Sequence, residues 1–142
     1  MKENGFTFIE LLLVLLITSI LTLIGVKISF TALHKQYENQ FFRTLTEDLR
    51  YIQNVAISDV RADARIFFEE NLYIVTSNQP SSPNYERQLP KGWKIHEGTY
   101  NNVIFNSKGT LRHSGTIYIE TPHDHFKVVF PLGKGSYYVS KL

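Results

Sequence analysis

Gly5-Phe6-Thr7-Phe8-Ile9-Glu10 opens a long apolar run that continues to Val26. From Phe6 to Val26 there are twenty-one positions, and Glu10 is the only one with a formal charge. At about 1.5 Å rise per residue, a helix of this length crosses a hydrocarbon core of about 30 Å. A carboxylate costs about 2.5 to 3.5 kcal/mol at the centre of such a helix, and less near an end. The pattern therefore predicts a membrane helix whose single charge has a specific use.

The residues before this run offer a partner for that charge. Residues 1–5 form a short polar leader that ends in Gly5. Cleavage after Gly5 would place a new amino terminus on Phe6, about one helical turn from Glu10. The new cation would compensate the Glu10 carboxylate either within one helix or between two helices offset by one turn.

This segment resembles the class III signal of type IV pilins and pseudopilins, in which glycine, aromatic residue and glutamate keep the spacing of Gly5, Phe6 and Glu10. The resemblance implies that a prepilin peptidase cuts after Gly5 and that Phe6 becomes the N-methylated first residue of the mature chain. It also implies a role for Glu10 in filament assembly. A secretory signal is disfavoured, because its apolar region has only about 7 to 15 residues and precedes a small-residue cleavage site. A plain membrane anchor leaves Glu10 unexplained.

The apolar pattern continues beyond Val26 but narrows to one face of a helix. Its members recur at spacings of three and four residues: Val26, Phe30, Leu33, Tyr37, Phe41, Leu45, Leu49, Ile52 and Ala56. No proline occurs before Pro80, so one continuous helix is predicted from about Phe6 to about Ser58. The first half suits lipid or a bundle of like helices. The second half needs a partner surface, which we expect to be the rest of the chain.

From Ala64 the pattern changes to short β-prone runs. Residues 65–69 and 72–76 are predicted to form a hairpin about Glu70-Asn71, followed by a polar, proline-bearing loop at 77–84. Further strands are predicted at 93–97, 102–106, 115–120, 126–130 and 136–140. A helix followed by short strands predicts an α+β, pilin-like fold, in which an antiparallel sheet packs on the carboxyl half of the helix.

Four segments are therefore expected: a prepilin leader (1–5), a transmembrane and filament-core helix (6–26), the amphipathic half of the same helix (27–60) and a β-rich globular head (61–142). The strand order and the closing Gly135-Ser136-Tyr137-Tyr138-Val139 resemble minor pseudopilins of the GspH type and their competence counterparts of the ComGD type. This resemblance implies a structural subunit of a competence filament for DNA uptake in transformation. The alternatives are a minor pseudopilin of type II secretion and a membrane-anchored binding module that does not polymerise.

Little in the composition supports an enzyme or a cofactor. The chain has no cysteine, which excludes disulfides and thiolate metal sites. It also has no glycine-rich phosphate loop and no nucleophile elbow. His123-Asp124-His125 has a spacing that can chelate a metal, but a third and a fourth ligand are not evident. We therefore predict neither catalysis nor a metal site.

The formal charge of +2 does not by itself indicate nucleic acid. Four cations lie among the aromatic residues Tyr85, Trp93 and Tyr100 and are candidate DNA contacts: Lys91, Lys94, Lys108 and Arg112. Trp93 also suits a buried strand position. Lys2 in the leader favours a cytoplasmic amino terminus and a head outside the cell membrane, at the cell surface after assembly. The expected partners are other pilins, a prepilin peptidase, the membrane and DNA through the assembled filament.

Overall fold

A computed structural model describes residues 7–59, 61–79 and 83–142, and for residues 25–31 it describes the backbone alone. It divides the chain into two units, Met1–Gln40 and Phe41–Leu142. Helix α1 is Phe8–Ser58, and the strands of the described residues are β1 (Ala64–Phe68), β2 (Leu72–Ser77), β3 (Tyr85–Gln88), β4 (Lys94–Glu97), β5 (Asn102–Ile104), β6 (Gly115–Glu120), β7 (His125–Phe130) and β8 (Tyr138–Lys141). The predicted α+β class is confirmed.

The first unit consists, in its described part, of the amino-terminal portion of α1. Its large apolar side chains between Phe8 and Ile24 are 45% to 78% exposed. Within the described residues, no helix combines the length and the apolar character needed to cross a membrane. The predicted span also includes Phe6 and the side chain of Val26, which lie outside the described residues.

The packed stripe of α1 is shorter than predicted. Leu33 and Tyr37 were expected on it, but they are 46% and 53% exposed. Burial along the stripe begins at Phe41, the first residue of the second unit, and continues through Leu45, Leu49, Ile52 and Ala56. The spacing of apolar residues identifies one face of α1, but it does not show at which residue the strands begin to cover that face.

Two four-stranded antiparallel sheets make up most of the second unit. Their strand orders are β3-β2-β1-β5 and β4-β6-β7-β8. The hairpin of β1 and β2 turns at Glu70-Asn71 as predicted, with Phe68 opposite Tyr73. The sequence indicated a single sheet, whereas the chain alternates between two, because β4 pairs with β6 rather than with the preceding strand β3.

The core of the second unit lies between α1 and the inner faces of the two sheets. Alternate residues of the central strands are buried, among them Ile66, Val75, Ile117 and Val128. Aromatic contacts link the layers, since the Phe68 and Phe130 rings lie 5.8 Å apart and the Phe41 and Trp93 rings 5.2 Å apart. Each such buried side chain contributes about 1.5 to 3 kcal/mol through removal from water. Trp93 is 7% exposed, which confirms its predicted burial.

Candidate functional site

Helix α1 begins inside the glycine–aromatic–glutamate segment. The Thr7 carbonyl accepts hydrogen bonds from the backbone N–H groups of Glu10 (3.1 Å) and Leu11 (3.2 Å). Thr7 is therefore the N-cap residue of α1. Glu10 is then the third helical residue and has an exposed side chain. A carboxylate in the first turn interacts favourably with the unpaired N–H groups at a helix start. Gly5 and Phe6, the predicted processing residues, lie outside the described residues.

Glu10 also completes a local pattern that we did not predict. Thr7-Phe8-Ile9-Glu10 has the Ser/Thr-x-x-Glu spacing of a capping box, in which the acidic or amide side chain accepts the N–H of the capping residue. Glutamine serves in this role as well as glutamate. This spacing would give Glu10 a local reason to be polar that does not require its charge, whereas the assembly role that the resemblance implies does require it.

The remaining polar side chains of this helical segment bond to their own helix. Thr18 Oγ1 donates to the Val14 carbonyl (2.9 Å), Ser19 Oγ to the Leu15 carbonyl (2.7 Å) and Thr22 Oγ1 to the Thr18 carbonyl (2.7 Å). Such bonds satisfy a hydroxyl without water, which suits surroundings of lipid or packed helices. Among residues 8–24, Glu10 is thus the only side chain with a formal charge to be compensated.

Lys91 and Lys94, two of the candidate DNA contacts, lie at one end of the second sheet. Lys94 is opposite Glu120 in the β4–β6 pair, and its Nζ lies 2.5 Å from Glu70 Oε1. The hydrogen bond and charge of Lys94 hold the pKa of the Glu70 carboxyl below its usual value. Lys91 is exposed in the turn before β4.

Lys108 and Arg112 lie in the connection between β5 and β6. This connection contacts the end of α1, since Gln53 Nε2 donates to the Gly109 carbonyl at 2.6 Å. Arg112 precedes the start of β6, whereas Lys94 lies opposite Glu120 at the end of the same strand. Lys94 and Arg112 are therefore associated with opposite ends of β6, and contact of the four cations with DNA stays a prediction.

His123 and Asp124 lie in the short connection between β6 and β7, and His125 is the first residue of β7. The Asp124 carboxylate forms an ion pair with Lys141, with 2.6 Å between Oδ1 and Nζ. In the described part of the chain, no group of three or more candidate side chains has a geometry that would hold a metal ion.

A buried carboxylate in the second unit is a feature that the sequence reasoning missed. Asp48 on α1 is 4% exposed. Its Oδ2 accepts the Tyr73 hydroxyl (2.7 Å) and Arg87 Nε (3.2 Å), and its Oδ1 accepts the Tyr85 hydroxyl (2.8 Å) and Arg87 Nη2 (3.3 Å). The Arg87 guanidinium also lies 4.8 Å from the centre of the Tyr85 ring. This cluster, the Asp48 cluster, fixes α1 to β2 and β3.

The contacts within the Asp48 cluster shift the pKa values of the groups that donate to Asp48. Burial and the hydrogen bond to Asp48 raise the pKa of Tyr73 and of Tyr85 well above that of a free tyrosine. The hydrogen bond to Asp48 likewise raises the pKa of Arg87. Tyr73, Tyr85 and Arg87 therefore keep their protons, and remain hydrogen-bond donors, at neutral pH. The sequence did carry a signal for the burial of Asp48, though not for its partners, because Asp48 lies three residues after Leu45 and four before Ile52, on the packed face.

A family model described as the prokaryotic N-terminal methylation motif matches residues 1–26 of the chain. No curated protein and no solved structure matches the chain. The match indicates a type IV pilin-like precursor, the class of protein that prepilin peptidases process and that serves a structural role. Residues 1–26 therefore carry the signal of a subunit that is first anchored in a membrane and then joins other pilins in a surface filament.

Proposed function

We propose that the chain is a minor pseudopilin, a structural subunit of a type IV pilus-like competence filament that binds and takes up DNA in transformation. The observation that carries this proposal is the methylation motif, with Glu10 in the first turn of the helix that starts within it. The fold that accompanies the motif, a long helix followed by antiparallel strands, supports a pilin-like subunit.

In this proposal a prepilin peptidase cuts after Gly5 and methylates Phe6. Residues 6–26 hold the subunit in the cell membrane, with the amino terminus cytoplasmic and the head outside, and later join the filament core. The exposed apolar side chains and the self-bonded hydroxyls of residues 8–24 support this use. The Glu10 carboxylate then pairs with the terminal amine of a neighbouring subunit, and its high cost in an apolar medium favours the register that forms this pair.

The Glu10→Gln variant tests this assembly role. It keeps the capping-box side chain but removes the charge, so α1 still begins at Phe8 while the pair with a neighbour's amine is lost. We expect normal processing and a strong loss of the subunit from sheared filaments, measured by immunoblot of the sheared and membrane fractions. Glu47→Gln, which changes an exposed acid on the same helix, is the control and should be incorporated normally. Incorporation of Glu10→Gln at the level of this control would contradict the assembly role.

Deletion and complementation of the gene in its own host separate the competing functions. The competence proposal predicts loss of transformation, with secretion of folded proteins unchanged. Loss of secretion with normal transformation would assign the chain to a type II secretion filament instead. Failure to co-purify with other pilins after crosslinking would favour a membrane-anchored module that does not polymerise.

A further inference from the structure

A cavity of about 440 Å³ lies in the second unit, between α1 and the segment that leads into β8. Its floor consists of four apolar side chains that are at most 5% exposed: Leu49, Phe105, Leu111 and Phe130. Cavities of about 300 to 1,000 Å³ with apolar floors are typical ligand sites. The floor is therefore suited to receive an apolar side chain.

An exposed arginine, Arg50, lies at the rim of this cavity. Arg50 is exposed, and its guanidinium forms no hydrogen bond or ion pair with any residue that the structure describes. The residues that line the cavity include no aspartate or glutamate. By contrast, the Gln53 amide is already bonded to the Gly109 and Gly135 carbonyls, and the Tyr137 hydroxyl to Thr46 Oγ1. The charge of the rim therefore favours a carboxylate, which a guanidinium binds through two parallel hydrogen bonds.

Strand β8 borders the cavity and is only partly covered. Val139 continues the cross-strand row formed by Ile117 and Val128, which are fully buried, yet Val139 is 37% exposed. β8 is also the terminal strand of its sheet, with β7 as its neighbour. The outer edge of such a strand presents backbone N–H and C=O groups that can pair with an extended peptide. An added strand at this edge would pass beside the cavity and cover Val139.

We propose that this cavity is a docking site for an extended segment of another polypeptide. The segment pairs with the free edge of β8, inserts one apolar side chain onto the floor of the cavity and places on Arg50 a carboxylate two residues further along, on the same face of the segment. The apolar floor, the exposed guanidinium and the adjacent strand edge together define a peptide in which an aromatic or aliphatic residue precedes an acidic one by two positions. This inference goes beyond the proposed function and does not depend on it, because it uses residues of the second unit alone.

Disulfide trapping on the full chain in detergent micelles tests the proposal. The chain lacks cysteine, so Ser136→Cys places a single thiol at the cavity. The probes are three tripeptide amides with a central glycine, named by their outer residues as Phe-Asp, Phe-Asn and Gly-Asp. Each is linked to the same aliphatic disulfide, and the labelled fraction is measured by intact mass in a thiol buffer. We expect Phe-Asp to label the thiol about fivefold more than either analogue. Equal labelling by Phe-Asp and Phe-Asn, or by Phe-Asp and Gly-Asp, would overturn the proposal.

Two variants control this measurement. Ser114→Cys places the thiol at another exposed serine, and there the three probes should label equally. Adding Arg50→Gln to Ser136→Cys should abolish the preference for Phe-Asp over Phe-Asn while the preference for Phe over Gly persists. A carboxylate preference that survives Arg50→Gln would contradict the role of Arg50.

Competition distinguishes a polypeptide from a free organic acid. Acetylated five-residue peptides with Phe-Gly-Asp at the centre should compete with the Phe-Asp probe more strongly than 3-phenylpropionate does. N-methylation of the backbone amides on one edge of the peptide should weaken the competition, because it removes the hydrogen bonds to β8. Competition by 3-phenylpropionate equal to that of the peptides would show that the cavity takes a small acid and would contradict strand pairing.

Discussion

The Asp48 cluster shows how a single residue connects elements far apart in the sequence. Asp48 brings a carboxylate into a predominantly apolar core, which is tolerated because four donors surround it. Two of the donors come from Tyr73 and Tyr85, and the others from Arg87. The cluster joins α1 to β2 and β3 with directional bonds, in addition to the non-directional packing of the core.

Replacing Asp48 with asparagine should destabilise the second unit strongly. Asparagine keeps the shape but turns one of its two acceptor oxygens into a donor, which would face donors that are already in place. We expect the free energy of unfolding to fall by about 2 to 4 kcal/mol. Urea titration followed by fluorescence of Trp93, the single tryptophan, measures the loss.

The control for this prediction is Glu47→Gln, at the adjacent position. Glu47 forms an exposed ion pair with Arg43, and such pairs contribute at most about 1 kcal/mol. A loss for Asp48→Asn no larger than that for Glu47→Gln would show that the cluster does not hold the two elements together.

Tyr73 should make the stability of the second unit depend on alkaline pH. Burial first, and then the hydrogen bond to Asp48, raise the pKa of Tyr73 from its ordinary value of 10.0. Above about pH 10 the unfolded chain releases a proton that the folded chain retains, so the free energy of unfolding decreases as the pH rises. Below that pH the contribution of Tyr73 is fully present.

Urea titrations between about pH 8 and 11 check this dependence. Tyr73→Phe should flatten the alkaline decrease in the free energy of unfolding, even though it also lowers stability at every pH. Tyr138→Phe changes a tyrosine that is 56% exposed and should leave the slope as in the parent chain. An alkaline slope for Tyr73→Phe equal to that of the parent would contradict the assignment.

At the scale of elements, the strands with regular apolar alternation were predictable and the polar one was not. β6 was predicted at residues 115–120 and lies there, because every second residue from Gly115 is buried. β3 was missed, since Tyr85-Glu86-Arg87-Gln88 has no apolar alternation and three of its four residues are exposed. Its place in the sheet depends on pairing with β2 and on the bonds from Tyr85 and Arg87 to Asp48. Such long-range contacts leave no local signal in the sequence.

The approach of β4 to β6 requires glycine at position 98. A Cβ on Gly98 would overlap the carbonyl group of Thr116, which belongs to the backbone of β6 and cannot turn aside. We expect Gly98→Ala to lower the free energy of unfolding by about 3 kcal/mol. The comparison is Gly133→Ala, where φ is +71 and the space is open, so that only the backbone strain of about 1 kcal/mol applies. Equal losses in urea titrations of the two variants would contradict this close approach.

At the scale of the whole molecule, the first unit carries the sequence signal for function, and the second unit carries the signals for the fold. The function class depends on residues 1–26, where glycine, aromatic residue and glutamate have a spacing that packing alone does not require. The second unit was predictable as a helix packed on antiparallel strands. Three features of this unit could not be predicted from the sequence: its two-sheet arrangement, the Asp48 cluster and the cavity at Arg50. Each depends on residues that the fold brings together from distant parts of the sequence.

The central claim is that the motif directs cleavage after Gly5 and methylation of Phe6. Co-expression with a prepilin peptidase, followed by intact mass and amino-terminal sequencing, tests it most directly. The parent chain should lose residues 1–5 and begin with N-methylated Phe6, whereas Gly5→Val should keep the leader. A mature chain that begins elsewhere, or a Gly5→Val chain that is still cut before Phe6, would contradict the account.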